Sequence, residues 1–461
     1  MEVCCFDSLE SAAHLREDID ALNGASARPD PFSTFSFYET FCRHDELAPS
    51  RRPLRLWFLA AFVAGRLVGY LALQQTARRD LGLRSAALGF LVTHDTDRPH
   101  LVAQPALERE VGEAFYAYLL SRRDEWSFLE FVQQDASSGL FPPPAAADLG
   151  AYLVRPWPSL ENCSITIRWR SLREYTLALS KKFRANLRRQ MRNLLGAGEV
   201  ELLSSSDPAI TPALLQLVLT IEPRSWKAQA NADISRHPKR IAYFQALLGA
   251  QQPMRVSIHV LLLDGVPIAG LINGAFMGGL YALHIVYDAG LSALAPGSAM
   301  LLLGMREALA GSHRFFNLLS GFGYYKGRWL AQATQTQNMQ IYRVGSLPFW
   351  HRLLGDLKRR LLPGRAAEAA LLFNPFRRAV VALDDEPGDS AEIVRPVPNA
   401  AQRERIACLL AQVRAGRCEL LSGAQLAAAL PLEAQPNLQR GAPATPLKPA
   451  QRQVPARAAA T

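Results

Sequence analysis

The sequence predicts an α/β protein with mixed sheets, an α+β arrangement, in which two similar units follow one another. A pattern of hairpin, strand, helix and strand occurs twice, which indicates a duplicated unit rather than a short-period repeat. Apolar residues make up 49% of the 461 residues, enough for a sizeable core. Prolines punctuate "VRPWPSLENCS", residues 154–164, between the two copies, so we predict domains at 1–160 and 161–350.

The first copy begins with an apolar hairpin. "RLWFLAAFVAGRLVGYLALQQ" contains two apolar runs that turn near Gly65. "RSAALGFL" then predicts a strand, "PALEREVGEAFYAYLLSRR" a helix and "FLEFVQQ" a further strand. This order of hairpin, strand, helix and strand defines the repeated unit.

A basic amphipathic helix precedes the second copy, in "LSKKFRANLRRQMRNLLGAG", residues 179–198. Its predicted apolar stripe is Phe183, Leu187, Met191 and Leu194, and its basic stripe is Arg184, Arg188 and Arg192. Ser180 is predicted to cap its start, and Gly196 or Gly198 to end it in a left-handed conformation. Three roles stay open: contact with RNA or a membrane surface, a cradle for an anionic substrate, or an ordinary solvated face.

The second copy follows with "EVELLS" as its first strand. "RVSIHVLLLDGVPIAGLINGAF" predicts a hairpin around Asp264-Gly265, because this dipeptide tolerates the positive φ angles of a tight turn. "GLYALHIVYD" predicts a third strand, and "ALAPGSAMLLLGMREALAG" a helix with Pro296 near its start and Gly311 after its end. "RFFNLLS" and "NMQIYRV" predict two further strands.

The C-terminal part begins with a second basic amphipathic segment, residues 351–382. In "LPFWHRLLGDLKRRLLPG", one apolar face contains Trp350, Leu353, Leu354, Leu357 and Leu361, beside Arg352, Lys358, Arg359 and Arg360. It is either a membrane-surface helix, with a peripheral contact through residues 348–362, or a closing helix packed on the domain, which we prefer. Residues 383–461 are rich in Ala, Pro, Arg and Gln and are predicted to be largely disordered, with a short helix in "RERIACLLAQVRAG".

Composition excludes several classes of protein. The formal net charge of +10 favours anionic partners without naming one. The six cysteines lack CxxC spacing, so we expect reduced thiols, no zinc site and no disulfide framework. The N-terminus lacks the pattern of a signal peptide, and no apolar run is long enough to span a membrane. We therefore expect a soluble, cytoplasmic protein without a metal.

Six segments of the second half resemble one known family in order and approximate spacing. "LSKKFRANLRRQ", "RSWK", "LLLDGVPIAG", "LYALHIVYD", "APGSAMLLL" and "YYKGRW" look like the CelD-like (BioF2-like) acetyltransferase domain of the GNAT superfamily of N-acyltransferases. The resemblance covers roughly residues 165–345. It implies that the first half is a degenerate copy, giving two tandem GNAT-like acyltransferase units as in the Fem-type aminoacyl transferases. The family pattern has a basic helix at 179–198, which accounts for that helix without nucleic acid.

The resemblance implies acetyl-CoA or another acyl-CoA as the donor. "Pro296-Gly297-Ser298-Ala299" lies at a strand–helix junction, and a helix start offers unpaired N–H groups to a pyrophosphate. The pantetheine arm is expected along "ALHIVYD". The family pattern is Gln/Arg-x-x-Gly-x-Gly/Ala, and here Leu294 replaces its leading Gln or Arg. The alternative is that Pro296 and Gly297 simply start a buried helix and bind no ligand. The predicted cofactor-binding residues are Val286, Gly297, Ser298, Ala299 and Met300.

Four residues are candidates for proton transfer: Tyr325, Tyr324, His284 and Asp288. A histidine ordinarily titrates near neutrality, so His284 is a candidate to take a proton. Alternation along its strand predicts Val286 on the same face and Leu283, Ile285 and Tyr287 on the other. The alternatives are that His284 is a satisfied core residue and that Asp288 caps the following turn. By resemblance, Tyr324 or Tyr325 lies where many members of the superfamily place a tyrosine that protonates the leaving thiolate.

Aromatic and basic residues are candidates for acceptor binding. Trp with Lys in a loop can form a wall and a charge clamp for an anionic or sugar-like acceptor. Equally, the tryptophans can be core anchors beside lysines whose charged ends reach solvent. The predicted substrate-binding residues are Trp226, Lys227, Lys326, Trp329, Arg184 and Arg188.

The resemblance therefore implies an N-acyltransferase that acylates an amine of a sugar, peptide or small molecule. Surface-polysaccharide or envelope biosynthesis is a setting suggested by family association alone. One alternative is a Fem-like transferase that takes its acyl group from aminoacyl-tRNA, which fits the basic helix and Leu294. Another is a catalytically silent member that acts as a binding or regulatory protein.

Overall fold

The chain folds into two eight-stranded mixed sheets with helices packed on them. The computed structural model describes residues 1–44, 53–92, 96–135, 138–143, 150–229, 233–249, 252–321, 324–361 and 393–430. Sheet 1 has the strand order β1-β2-β3-β4-β6-β15-β7, with β5 also paired to β3. Sheet 2 has the order β14-β8-β13-β12-β11-β10-β9-β16.

The first half contains β1 (Glu2–Phe6), α1 (Arg16–Ala25), α2 (Phe35–His44), β2 (Pro53–Val63), β3 (Arg66–Asp80), β4 (Leu83–Phe90), β5 (Val102–Ala103), α3 (Glu108–Ser121), β6 (Phe128–Gln134) and β7 (Tyr152–Pro158). The predicted hairpin is β2–β3, and its turn has positive φ at Ala64 and Gly65. Strand β4 pairs in parallel with β6 across α3. The predicted first copy is confirmed.

The second half contains β8 (Asn162–Thr166), α4 (Leu172–Ala178), α5 (Lys181–Leu195), β9 (Val200–Ser205), α6 (Thr211–Ile221), α7 (Trp226–Gln229), α8 (Pro238–Leu247), β10 (Arg255–Leu263), β11 (Val266–Phe276), β12 (Gly279–Tyr287), α9 (Pro296–Ala310), β13 (Phe315–Ser320), α10 (Tyr324–Arg328), β14 (Gln332–Thr334), β15 (Gln337–Arg343) and α11 (Leu347–Leu361). It repeats the order of the first half, with β10–β11 as the hairpin and β12 parallel to β13 across α9. Asp264 and Gly265 have φ of 51° and 74°, as the hairpin prediction requires.

Strand β15 connects the two halves. It comes from the second half, yet it lies between β6 and β7 in sheet 1 and is antiparallel to both. The apolar core is also shared, because Phe32 and Phe37 of the first half contact the rings of Tyr281 and Tyr243 in the second. The prediction of separate domains at 1–160 and 161–350 is therefore wrong for β15, whose pairing partners lie far away in sequence.

Helix α5 shows the predicted apolar stripe. Its buried residues are Phe183, Leu187, Met191 and Leu194, and the Ser180 hydroxyl accepts a hydrogen bond from the Phe183 N–H at 3.3 Å. The predicted left-handed stop is wrong, because neither Gly196 nor Gly198 has a positive φ. Gly198 is small for another reason: a Cβ there would lie 2.4 Å from the carboxylate of Asp264, which accepts the Glu199 N–H.

Helix α11 packs on sheet 1 through a face that the sequence did not indicate. Phe349 contacts the small core of Phe128 and Tyr342, and Asp356 forms an ion pair with Arg155 of β7. The predicted apolar face is exposed instead: its residues are Trp350, Leu353, Leu354, Leu357 and Leu361. The helix does close the domain, but with the opposite side. Residues 362–382 of this predicted segment lie outside the described residues.

Part of the predicted disordered tail is folded. Residues 393–430 contain α12 (Ala400–Ala415), β16 (Glu419–Ser422) and α13 (Gly423–Ala429). Ile406, Leu410 and Val413 of α12 are buried against the shared core, and β16 adds an antiparallel strand to the β9 edge of sheet 2. The short helix predicted in "RERIACLLAQVRAG" is confirmed as α12, whose apolar partners lie in α6. The prediction of disorder is wrong for β16 and α13, which are folded as well. Residues 383–392 and 431–461 lie outside the described residues.

No helix in the described part of the chain is long and apolar enough to cross a membrane. Within the same residues, no group of three or more His, Cys, Asp or Glu side chains could hold a metal ion.

Candidate active site

Sheet 2 opens between the parallel strands β12 and β13. They pair over Gly279–Tyr281 and Phe315–Asn317 alone. Beyond Asn317, β13 stays paired with β8 on its other side, through a register shift before Ser320 and a positive φ of 59° at Leu319. Among the described strands, the rest of β12 therefore has one neighbour, β11. A strand edge with a free side can bind an extended ligand as an additional strand.

A β-bulge at Leu283 orients the residues next to this opening. Ile272 of β11 pairs with His284, and the next residue, Asn273, pairs with Ala282. Because the bulge adds one residue, Leu283 and His284 both face the core shared with the first half. The predicted simple alternation, with Leu283 on the face of Ile285 and Tyr287, is wrong at this position.

His284 lies at the centre of a three-residue hydrogen-bonded chain. Its Nε2 is 2.5 Å from a carboxylate oxygen of Glu222, in the 3-10 helix Glu222–Arg224 that follows α6. Its Nδ1 is 3.0 Å from Nζ of Lys227, in α7. The side chains of Glu222 and His284 are 0% and 2% exposed. Lys227 is half-buried, and its Nζ also lies 5.9 Å from the centre of the Trp226 ring.

The charge states of Glu222 and His284 follow from the groups around them. Burial raises the pKa of Glu222, but the His284 imidazole, which attracts and hydrogen-bonds the carboxylate, and the Lys227 ammonium lower it to about 2. Burial and the Lys227 charge lower the pKa of His284, against the opposing effect of Glu222. Near pH 7 this arrangement is an ionised carboxylate and a neutral imidazole, with Nε2–H donating to Glu222 and Nδ1 accepting from Lys227.

Glu222 is the residue that sequence reasoning missed. Its other oxygen accepts the backbone N–H groups of Ile234 and of Ser235, the latter at 3.2 Å. The signal in the sequence was a single acid that ends the apolar run "LLQLVLTIEP", where a buried charge needs a partner. No sequence pattern links it to His284, because the two residues are 62 positions apart.

Asp288 has the capping role that was the alternative to catalysis. Its carboxylate accepts the Gly290 N–H at 2.9 Å and caps the 3-10 helix Ala289–Leu294. The same side chain forms an ion pair with Nε of Arg224 at 2.6 Å. Asp288 therefore fixes the turn between β12 and α9.

The start of α9 lies where the pyrophosphate site was predicted. Ala295 precedes it with a positive φ of 50°, and the N–H groups of Ser298 and Ala299 lie 3.0 and 3.4 Å from the Ala295 carbonyl oxygen. The Tyr287 ring approaches Gly297 so closely that a Cβ there would lie 3.0 Å from it. Val286, Ala299 and Met300 are fully buried, so they can offer a ligand backbone groups rather than side chains.

The segment Tyr324–Arg328 forms the short helix α10. Tyr325 packs against the core on the α9 side of sheet 2, the face opposite His284. Lys326 is buried, and its Nζ donates to the carbonyl oxygens of Leu318 and Ser320 at 2.8 and 3.0 Å. It thereby holds the end of β13 at the opening of the sheet. For Tyr324, the structure describes the backbone, which lies in α10, so the role of its side chain stays a prediction.

The two predicted tryptophans differ in exposure. Trp329 is 4% exposed and packs edge-on against Phe183, while its carbonyl oxygen accepts the Tyr175 hydroxyl. The predicted role of Trp329 as a ligand wall is therefore wrong, and the core-anchor alternative fits its contacts. Trp226 is half-exposed and contacts Lys227, so the site retains one of the predicted aromatic–basic pairs.

The predicted arginines lie on α5. Arg184 donates to the carbonyl oxygens of Leu177 and Leu179 at 2.8 and 3.2 Å, which ties α5 to α4. Arg188 is half-buried on the same helix. The apolar stripe of α5 packs in one core with Leu291 and Leu294, directly before α9. The basic helix is thus adjacent to the turn that enters α9.

Residues 181–327 match the family model described as "Acetyltransferase (GNAT) domain". The match contains α5, Glu222, Lys227, the bulged strand β12 and α9. Residues 181–327 are therefore similar to a GNAT acetyltransferase domain, in the part of the chain where the sequence segments indicated one. No curated protein matches the chain by sequence.

Three solved structures are similar to the chain at low identity. FemX has 10% identity and a TM-score of 0.47, over 74% of this chain and 97% of its own. The C-terminal domain (DUF2156) of a putative lysylphosphatidylglycerol synthetase from Agrobacterium fabrum has 14% identity and a TM-score of 0.43, over 76% and 97%. A tandem GNAT protein from the clavulanic acid biosynthesis pathway has 14% identity and a TM-score of 0.42, over 75% and 98%. At TM-scores below 0.5, these similarities support no conclusion about substrate.

Proposed function

We propose that the chain is an N-acyltransferase that moves an acyl group from an acyl-CoA thioester to an amine. The observation that carries this proposal is the opening between β12 and β13 beside the buried Glu222–His284–Lys227 chain. The free side of β12 offers a place for the pantetheine arm. The N–H groups of Ser298 and Ala299 donate to the Ala295 carbonyl oxygen, so the start of α9 would attract the diphosphate chiefly through the positive end of its helix dipole.

The reaction assigned to this site is direct transfer. The amine nitrogen attacks the thioester carbonyl carbon, a C–N bond forms, and the C–S bond breaks to release the CoA thiolate. His284 accepts the proton of the nitrogen at Nδ1 once the acceptor displaces Lys227, and Glu222 stabilises the imidazolium through Nε2–H. Lys227 supplies positive charge beside the carbonyl oxygen. By the family resemblance, Tyr324 or Tyr325 protonates the thiolate; Tyr325, on the α9 side of sheet 2, would act through the opening from the face opposite His284.

The finer assignment is to the CelD-like branch, with acetyl-CoA as the donor and an amine on a sugar, peptide or small molecule as the acceptor. The six matching segments support this assignment, and the half-exposed Trp226–Lys227 pair suits a saccharide or anionic acceptor. A cytoplasmic location and a role in surface-polysaccharide biosynthesis belong to the same proposal.

Binding of the donor tests the proposal first. The full chain is heated with acetyl-CoA, a longer acyl-CoA, free CoA or a tRNA pool. We expect acetyl-CoA to stabilise it, by about 2.7 kcal/mol at a hundredfold excess over Kd. A panel of amines is then scored by CoA release. Failure of every acyl-CoA to bind would overturn the proposal, and salt-sensitive binding of tRNA alone would favour the Fem-like alternative, which the basic α5 supports.

The chain itself offers a control for the catalytic assignment. His284→Asn should lower the rate of CoA release by about 10²–10⁴-fold and preserve acetyl-CoA binding. His259→Asn removes a second buried histidine that also contacts an acid, Glu307, at 2.8 Å. This pair lies at the α9 face of sheet 2, so we expect that variant to keep its activity. Stabilisation by acetyl-CoA without CoA release from any amine would indicate the silent binding protein.

A further inference from the structure

Helix α11 exposes an apolar stripe that nothing in the described residues covers. Its large apolar side chains are between 42% and 70% exposed: Trp350, Leu353, Leu354, Leu357 and Leu361. Since each helical residue turns by about 100°, these five side chains fall within an arc of about 100°. Phe349 and Asp356 lie outside this arc and hold the helix to sheet 1, and Arg352 pairs with Asp356 within the helix. The helix is therefore anchored on one side and apolar on the side that faces solvent.

The tip of the β3–β4 hairpin extends the same surface. His351 of α11 is 2.6 Å from Asp80, at the end of β3, so the two elements are adjacent. Leu81 and Leu83 at the tip are 48% and 62% exposed. Leu81 also has a positive φ of 50°, a conformation that favours Gly or Asn. Leu81 is therefore an exposed apolar side chain in an unfavourable backbone conformation, and its burial within this chain does not compensate for that cost.

The charges around this surface are basic. Arg79 and Arg84 lie directly opposite each other on β3 and β4, are both exposed, and form no ion pair among the described residues. Like charges in such cross-strand pairs destabilise a hairpin unless an anion is present. Lys358 on α11 is exposed as well. The acids nearby are engaged, Asp80 by His351 and Asp356 by Arg155.

We propose that α11 and the β3–β4 tip together bind an anionic lipid surface. The apolar stripe and Leu81 and Leu83 enter the boundary between headgroups and acyl chains, and Arg79, Arg84 and Lys358 contact lipid phosphates. An exposed apolar face with basic residues beside it is the pattern of helices that lie in the membrane interface. A second copy of the chain fits less well, because a symmetric dimer would bring the unpaired Arg79 and Arg84 of both copies to one interface.

Vesicle sedimentation of the full chain tests this proposal. The probes are vesicles of phosphatidylcholine alone and of phosphatidylcholine with phosphatidylglycerol at a ratio of about 2:1. We expect binding to the mixed vesicles that weakens with added salt, and little binding to the neutral ones. The double variant Leu354→Glu/Leu357→Glu should bind at least roughly tenfold less tightly. Arg79→Ala/Arg84→Ala should weaken binding to the anionic vesicles.

A matched control separates this surface from apolar exposure in general. Leu177 on α4 and Leu420 on β16 are 55% and 45% exposed, away from α11, so Leu177→Glu/Leu420→Glu makes the same change of charge. The control should bind vesicles like the unchanged chain. The proposal is overturned if the unchanged chain does not sediment, if the control loses as much binding as the α11 variant, or if α11 mediates a dimer that excludes vesicles. Melting temperatures confirm that each variant is folded.

Discussion

Substitution of Glu222 by Gln tests how the candidate site is held together. The pKa of Glu222 is lowered from 4.5 to about 2, so the ionised form is favoured in the folded state. A shift of this size corresponds to about 3 kcal/mol of stability. Glutamine keeps an oxygen for the N–H groups of Ile234 and Ser235, so this value is an upper estimate for Glu222→Gln at pH 7.

The direction of the pKa shift of Glu222 determines the pH range in which the carboxylate stabilises the fold. Because the folded-state pKa is lowered, the stabilisation is complete above the unfolded value of 4.5 and disappears as pH falls towards 2. Denaturant unfolding followed by tryptophan fluorescence should therefore show a large difference in stability between the unchanged protein and the Glu222→Gln variant at pH 7. That difference should shrink below about pH 4.5. A difference that is absent at pH 7, or that stays constant on acidification, would refute the assignment of charge.

A matched substitution, Glu307→Gln, separates the effect on stability from the effect on catalysis. Glu307 also has a pKa lowered to about 2, where burial is outweighed by hydrogen bonds from His259, Ser257 and Asn273. Glu307→Gln should therefore cost a similar stability. The rate of CoA release should fall by about 10²–10⁴-fold in Glu222→Gln, because His284 loses the group that stabilises its protonated form, and should persist in Glu307→Gln. Equal loss of activity in both variants would contradict the proposed site.

Three further outcomes follow from packing and capping. Leu410→Ala should lower the free energy of unfolding by about 2–4 kcal/mol in denaturant titrations, because Leu410 is buried in the shared core; an unchanged midpoint would mean that α12 is not docked. Gly198→Ala should destabilise the chain, since the new Cβ would lie 2.4 Å from the Asp264 carboxylate, and a paired Asp264→Ala should restore part of the loss. Ser180→Ala should cost about 1 kcal/mol by removing the cap of α5, whereas Ser180→Asp should retain it.

Local patterns were sufficient for elements whose partners are near in sequence. The apolar stripe of α5, its Ser180 cap and the Asp264-Gly265 turn depend on side chains within a few positions of each other, and the structure has all three. The repeated unit was also visible, because a hairpin and a strand–helix–strand segment each have a characteristic periodicity. The similarity of residues 181–327 to a GNAT domain came from the resemblance of six quoted segments to that family, and the family model matches the same part of the chain.

The bulge at Leu283 and the Glu222–His284 contact were not predictable from such patterns. A bulge is defined by the pairing of β12 with β11, and one extra residue reverses the faces assigned by alternation. The same limit applies to α11, where the apolar face was predicted correctly but its environment was not. An amphipathic pattern identifies a face and leaves open whether protein or solvent covers it.

The sequence by itself determined the two α/β units, the position of the basic helix and the strand that bears His284, since these depend on periodicity and turn chemistry. The tertiary structure alone decided that β15 joins the sheet of the other half, that α12 and β16 complete the fold, and that Glu222 and Lys227 meet at His284. These are contacts between distant parts of the chain, and their free energy comes from burying surfaces that no local segment can bury alone.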